Sequence, residues 1–170
     1  MLLRFIQPLR GLARLFTAAG TPRQLALGLA MGMLIGLVPK GNLTAVLLAV
    51  ILLASRVNLG AGMIGAALFS WVGMLVDPLS HRIGQAFLTH ESLQPTWAYL
   101  YDLPLAPWTA LNNTVVLGSL LLGLWLFYPV YRLSELAFAH GQPRVVDWLK
   151  KYRIGQLLGG AEMAAGWRDP

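Results

Sequence analysis

Cysteine is absent from this chain, and charged residues are scarce. The missing thiols exclude disulfides, thiolate nucleophiles and metal sites built on cysteine. Asp, Glu, Lys and Arg make up 12% of the 170 residues, while 56% are hydrophobic. That charged fraction is about half of the share that is usual in soluble domains. The composition therefore predicts an integral membrane protein of about one domain.

Catalytic and metal-binding motifs are missing as well. The sequence contains no G-x-S-x-G elbow, no P-loop and no H-E-x-x-H motif. Its three histidines lack the spacing of metal ligands, and its seven acidic residues are too dispersed for a catalytic pair. We therefore expect no enzyme, no metal and no cofactor. The net charge of +6 is grouped near the ends of apolar runs, which favours an anionic membrane surface over nucleic acid.

Two long apolar runs within residues 24–82 contain one charge each, Lys40 in the first and Asp77 in the second. Each charge is next to a proline, Pro39 or Pro78. Proline removes a backbone donor and clashes with the preceding turn, so we expect each run to be broken or kinked there. Charges inside a bilayer are costly and indicate function by default. We expect the two breaks to face each other, with Lys40 paired to Asp77.

The polar residues of these breaks form the candidate binding site. His81 follows Asp77 by four positions, so the two share a face if the helix continues through the proline. We expect the side chains left free by the Lys40–Asp77 pair to bind an anionic group such as a lipid phosphate. The alternative is that Lys40 reaches an interface and Asp77 caps a helix end, without any ligand. The candidate ligand-binding residues are Lys40, Asn42, Asp77, His81 and Arg82.

The first apolar run is too short on either side of Pro39 to cross a bilayer. As helices, residues 24–38 reach about 22 Å and residues 43–55 about 20 Å, against a hydrocarbon core of roughly 30 Å. Two arrangements remain open. One is a bent single span, and the other is a re-entrant hairpin whose tip, residues 39–42, stops inside the bilayer under a cover of protein or water. The hairpin is preferred because it returns Arg56 to the cytoplasm.

Glycines recur every four residues in the first apolar helix. Gly28, Gly32 and Gly36 fall on one face, where the lack of side chains lets another backbone approach closely. This stripe predicts a helix-packing surface rather than a catalytic site. A homo-oligomer is one further arrangement that such a surface allows.

The distribution of Lys and Arg predicts the topology of an all-α fold. Neither residue occurs between Arg82 and Arg132, so the acidic, aromatic loop in between is expected outside the cytoplasm, with both basic termini inside. The predicted organisation is an amphipathic interfacial helix at 1–19, a core membrane domain with two proline-broken or re-entrant segments at 20–88, a periplasmic loop at 89–107, one clear C-terminal transmembrane helix at 108–133 and a cytoplasmic tail at 134–170.

Three stretches carry a family resemblance: GTPRQLALG at 20–28, GLVPKGN at 36–42 and RVNL at 56–59. They resemble the bacterial family called Domain of Unknown Function 2062. The stretches at 77–84, 107–109 and 112–116 are similar to short stand-alone members, so the resemblance covers most of the chain. Many relatives have Asn-Pro in place of Asp77-Pro78. The resemblance implies a bacterial inner-membrane protein without an assigned activity, and a periplasmic partner resembling the AsmA-type lipid-transfer group.

Two functions remain open at this point. One is the binding or translocation of an anionic lipid, or assistance to a lipid-transfer partner. The other is a non-catalytic scaffold that anchors a periplasmic or membrane partner. The small-residue faces and the aromatic loop fit both functions, and membrane lipids are expected partners in either case.

Overall fold

The computed structural model describes the backbone of residues 20–151 and the side chains of residues 20–141. Within this range the regular elements are all helices, with no strand, which confirms the all-α prediction. The amphipathic helix predicted at 1–19 and the end of the predicted tail lie outside the described residues. The helices are α1 (Pro22–Leu37), α2 (Leu43–Ala54), α3 (Leu59–Leu88), a 3-10 turn (Glu91–Leu93), α4 (Gln94–Tyr101), α5 (Ala106–Thr109) and α6 (Thr114–Lys151).

The first three helices begin at side-chain caps. Thr21 accepts a hydrogen bond from the backbone N–H of Gln24 at 3.3 Å, and the Gln24 side chain accepts one from the N–H of Thr21 at 3.2 Å. This reciprocal pair is a capping box. Asn42 and Asn58 cap α2 and α3, since each side-chain oxygen accepts the N–H three residues later at 2.8 Å. The caps fix where each helix starts in an otherwise apolar sequence.

The first two helices form a hairpin. α1 ends at Leu37, and the predicted break at Pro39 is present. Gly41 has a φ of 92°, a left-handed conformation that glycine adopts without steric cost. α2 then runs back alongside α1. The N–H of Asn58 donates to the carbonyl of Gln24 at 3.3 Å, so the chain leaves the hairpin beside the point where it entered.

Of the two alternatives predicted at Pro78, a break or a kink, the break is wrong, because α3 runs without interruption through this residue. Proline offers no N–H to the carbonyl one turn earlier, and it crowds that carbonyl. Close packing on both sides of Pro78 explains why the helix nevertheless continues. Gly73 is buried against the end of α1, and Ser80 is buried against α6. The neighbouring helices therefore hold this segment of α3 in place.

α1 and α3 lie side by side and point in the same direction. A Cβ atom added at Gly28 would overlap the carbonyl oxygen of Asn58, and one added at Gly32 would overlap that of Gly62. Gly36 is similarly close to the next turns of α3. The glycine stripe of α1 thus faces α3 in direct backbone contact, with α2 connecting the two helices from outside.

α6 returns antiparallel to α1 and α3 and contacts both. Near its start, Gly118 faces Ser80 and Thr114 faces Gly84, each pair so close that a Cβ on the glycine would overlap the facing carbonyl. Near its other end, Phe138 is 3% exposed. It lies in a buried cluster with Leu25, Ala26 and Ala61.

The last helix differs in its bounds from the predicted span at 108–133. It begins at Thr114 and continues to Lys151. Asn113 determines the start, since its side-chain oxygen accepts the N–H of Val115 at 2.9 Å. Among the described residues, two helical stretches are long and apolar enough to cross a membrane: Leu59–Leu88 and, within α6, Thr114–Gly141.

Candidate functional site

The tip of the α1–α2 hairpin is closed by its own lysine. Lys40 Nζ donates hydrogen bonds to the carbonyls of Ile35, Gly36 and Val38 at 2.6, 3.0 and 2.8 Å. In a continuing helix the Ile35 carbonyl would pair with the N–H of residue 39, which Pro39 lacks. The end of a helix also carries a partial negative charge. Lys40 therefore acts as a cap that replaces the missing donor and offsets this charge.

Asn42 is also used within the tip. Its side-chain oxygen caps α2, and its Nδ2 donates to the carbonyl of Pro39 at 2.8 Å. Both ends of the amide are thus engaged in closing the turn. Two of the five predicted binding residues therefore have local structural roles.

The predicted ion pair between Lys40 and Asp77 is wrong. The Lys40 ammonium donates its hydrogen bonds to carbonyls at the end of α1 instead. The one ion pair among residues 20–141 joins Arg132 to Glu135 at 2.7 Å. The reason is proximity along the chain, since the open carbonyls lie within five residues of Lys40. The two segments nevertheless adjoin. The Leu37 carbonyl would stand 3.4 Å from a Cβ at Gly73, one turn before Asp77.

The remaining candidates lie on α3, near the start of α6. Because α3 continues through Pro78, Asp77 and His81 share a face as predicted. His81 Nδ1 lies 2.6 Å from the hydroxyl of Thr114, the first residue of α6. Arg82 is exposed and Asp77 is half-buried. In the described part of the chain, no hydrogen bond joins any two of the five predicted residues.

A segment that sequence reasoning missed covers the hairpin tip. The hydroxyl of Thr44 donates to the carbonyl of Thr109 at 2.8 Å. Thr44 is a polar residue in a helix of otherwise apolar residues, and that contrast is the signal that was available. The apolar contacts around this bond include Val38, Ala45 and Val116, with Ala110 and Leu111 packed against them.

The predicted periplasmic loop is folded into short helices rather than extended. Trp97 Nε1 donates to the carbonyl of Phe87 at 3.2 Å, and Gln94 Nε2 donates to that of Leu88 at 2.6 Å, which ties α4 to the end of α3. The Tyr101 hydroxyl is buried without a hydrogen-bond partner among the described residues. Burial raises the pKa of this phenol above its ordinary value.

The described side chains form neither a cluster of metal ligands nor a buried polar network. No three His, Cys, Asp or Glu residues in that part of the chain are close enough to hold a metal ion. Ser80 is completely buried, and its hydroxyl lacks a hydrogen-bond partner there. Its small size allows α6 to approach α3 at Gly118. What remains of the candidate site is Asp77, His81 and Arg82, on α3 near the start of α6.

Comparison with known proteins gives a family but no activity. The model of a family described as an uncharacterised protein conserved in bacteria, Domain of Unknown Function 2062, matches residues 5–144. A protein of Treponema pallidum (strain Nichols), itself described as uncharacterised, is 29% identical over 132 residues, which are 78% of this chain and 82% of that protein. No solved structure matches.

Proposed function

This chain belongs to the bacterial family Domain of Unknown Function 2062, as its motifs predicted, and we propose that it is an integral inner-membrane protein with a re-entrant α1–α2 hairpin. The hairpin enters the bilayer from the cytoplasmic side and returns there. The protein binds or translocates an anionic lipid, or assists a periplasmic lipid-transfer partner of the AsmA type.

The outer surface of the bundle supports membrane integration. Trp71 and Leu75 on α3 are 75% and 81% exposed, and Trp125 on α6 is 74% exposed. Contiguous apolar surface of this kind is rare on soluble monomers because contact with water is unfavourable, whereas lipid chains tolerate it. The two helices that carry these side chains are the two that are long enough to span.

The lengths of the helices support the re-entrant arrangement. α1 has 16 residues and α2 has 12, which correspond to about 24 and 18 Å, both short of a roughly 30 Å core. α1 ends beside Gly73, whereas α3 continues to Leu88. A membrane spanned by α3 therefore encloses the tip. The bond from Thr44 to Thr109 provides the protein cover that irregular backbone needs at that depth.

Cysteine labelling can test this arrangement cleanly because the chain has no cysteine of its own. Single-cysteine variants Ser55→Cys and Gln94→Cys would be treated with a membrane-impermeant maleimide in intact spheroplasts. The hairpin predicts labelling at position 94 and none at position 55 until the membrane is permeabilised. Labelling of position 55 and not of position 94 in intact spheroplasts would instead support the bent single span, and labelling of both would contradict a membrane crossing by α3.

The exposed position of Arg82 is the observation that carries the lipid proposal. Lys40 and Asn42 are engaged in the tip, whereas Arg82 has no ion-pair partner among the described residues. The neighbouring His81 contacts Thr114, at the N-terminus of α6. The helix dipole favours an anion at such a terminus. A lipid phosphate held by Arg82 and His81 is the ligand that fits this chemistry.

Mass spectrometry of the lipids that remain bound to purified protein tests the proposal. Anionic phospholipid should be enriched over the bulk membrane, and Arg82→Gln should remove the enrichment. Arg23→Gln, which neutralises an exposed arginine at the opposite end of the bundle, is the matched control and should keep it. Equal lipid profiles for wild type and bulk membrane would contradict the lipid site.

A scaffold is the second candidate, and the surface of the loop favours it. Tyr99, Leu105 and Trp108 are 71%, 66% and 73% exposed in the α4–α5 segment. Aromatic residues are enriched at protein interfaces. This surface would contact a periplasmic partner. If Trp108→Ser and Tyr99→Ser abolish function in cells while lipid binding is unchanged, the scaffold is supported over the lipid site.

A further inference from the structure

The contacts between α3 and α6 fix the height of each residue along the bundle. Ser80 faces Gly118, and Gly84 faces Thr114. Far down the same two helices, Ala61 and Phe138 belong to one cluster. The two antiparallel helices therefore keep one register over their whole contact. Each step of one residue toward the start of α3 matches a step of about one residue toward the end of α6.

The Arg132–Glu135 ion pair lies in the first third of α3 in height. Arg132 is 14 residues beyond Gly118 on α6, and Ala66 is 14 residues before Ser80 on α3, so Arg132 is level with Ala66. The two charged side chains are bound to each other at 2.7 Å and are 50% and 22% exposed. The pair is therefore on the outer surface of the bundle.

A second group of charges lies only a short distance above this pair. The Lys40 ammonium is held by the last turn of α1, and that turn lies beside Gly73. Gly73 is seven residues and Asp77 eleven residues beyond Ala66. At 1.5 Å per residue, the two groups of charges are separated by about 10 to 16 Å along the bundle.

No roughly 30 Å hydrocarbon core that lies within the length of α3 leaves both groups of charges outside it. A core shifted toward the end of α3 encloses Lys40 and Asp77, and a core shifted toward its start encloses Arg132 and Glu135. The apolar side chains between the two groups are among the most exposed in the bundle: Trp71, Met74, Leu75, Trp125 and Tyr128. Bilayers respond to such a short apolar band by thinning locally and admitting water.

We propose that this protein thins the bilayer beside it and thereby lets phospholipid headgroups cross between the leaflets without an energy source. The headgroup passes the short apolar band between the Arg132–Glu135 pair and the Lys40–Asp77 level, while the acyl chains remain in lipid. This inference rests on the proposed membrane integration. It specifies lipid scrambling as the form of lipid translocation, and it does not depend on the binding of an anionic lipid at Arg82.

Vesicles of dioleoylphosphatidylcholine with a trace of fluorescent, nitrobenzoxadiazole-labelled phosphatidylcholine provide the test. Dithionite added outside bleaches only the outer leaflet unless lipids exchange. Reconstituted protein should make the whole label accessible. The double variant Arg132→Leu with Glu135→Leu removes both partners, so no unpaired charge remains. It should slow the exchange about tenfold, equivalent to about 1.4 kcal/mol in barrier. Arg132→Lys keeps the pair and should retain the rate.

Density-gradient flotation separates the possible failures. Protein that does not float with the vesicles contradicts membrane integration itself. Protein that floats but leaves the inner leaflet protected overturns scrambling alone. A double variant that floats and scrambles as fast as wild type overturns the role of the charged boundary.

Lipid thickness provides a second measurement on the wild type, independent of how the variants fold. Exchange by the wild-type protein should slow as the acyl chains are lengthened, because a thicker bilayer resists the same thinning. In thin bilayers of short-chain lipids, the double variant should match the wild type. Exchange by the wild type that is independent of chain length would overturn thinning as the cause.

Discussion

Replacing Gly32 by alanine should destabilise the protein, whereas the same replacement at Gly73 should not. Both glycines are buried inside helices at the contact between α1 and α3. At Gly32 the added Cβ would overlap the carbonyl oxygen of Gly62 and stand 2.9 Å from the backbone nitrogen of Ala66. At Gly73 the nearest atom would be the carbonyl oxygen of Leu37 at 3.4 Å, an ordinary contact. The two sites thus differ in available space and in little else.

The expected magnitudes follow from two opposing effects. Alanine is favoured over glycine in a helix interior by about 1 kcal/mol, and this gain applies at both sites. Overpacking typically costs about 1 to 3 kcal/mol, and the upper part of that range applies at Gly32 because the obstacle is backbone. We expect Gly32→Ala to lose about 1 to 2 kcal/mol net. Gly73→Ala should gain up to about 1 kcal/mol.

Thermal unfolding in detergent, followed by size-exclusion chromatography, measures this difference. For a chain of this size, each kcal/mol shifts the melting temperature by about 2 to 4 °C, so the variants should differ by roughly 2 to 12 °C. Equal melting temperatures would refute the reasoning, because they would mean that α1 and α3 are not in backbone contact at Gly32. The Gly73 variant controls for the general effect of alanine on the helices.

Further changes test individual contacts and the topology. Lys40→Met should lower the melting temperature more than Asp77→Leu, since it removes the donor to two α1 carbonyls and to the carbonyl of Val38 just after the helix. The two decreases in melting temperature should add in the double variant of Lys40 and Asp77. A smaller decrease in the double variant than the sum would indicate that these two residues do form an ion pair. Thr44→Val should cost about 1 kcal/mol in thermal unfolding through its lost hydrogen bond to Thr109, and Thr44→Ser should not; equal losses would argue against that bond. Reporter fusions at Gln94 and at the tail should give opposite signals, and signals from the same side would contradict the topology.

The two prolines show which part of the fold could be predicted from local sequence. Pro39 is followed by Gly41 and Asn42, which supply a left-handed turn and a helix cap, and the helix ends there. Pro78 has no such neighbours, and α3 continues through it. The lack of a glycine followed by a capping residue just after Pro78 is a sequence signal that the helix continues there. The packing that keeps α3 helical depends on α1 and α6, and proline spacing alone does not encode it.

The candidate site divides in the same way. The capping role of Lys40 is local, since its acceptors lie within five residues, and cations near helix ends commonly serve this purpose. The contact between His81 and Thr114 joins positions 33 residues apart and follows from the register of α3 against α6. The sequence shows no trace of that register. The height of Arg132 relative to Lys40 depends on the same register, and it became visible only in the folded bundle.

The parallel arrangement of α1 and α3 has a consequence for biosynthesis. The helix that receives the glycine face of α1 is made only after α2, so α1 leaves the ribosome before its partner exists. α1 alone is too short to anchor itself, and its flat face offers lipid few contacts. In the proposed re-entrant arrangement, stable insertion of the hairpin must therefore wait for α3, which serves as the template on which the earlier segment docks. A chain that stopped after Ser55 would hold every residue of the hairpin and none of the surface that fixes it.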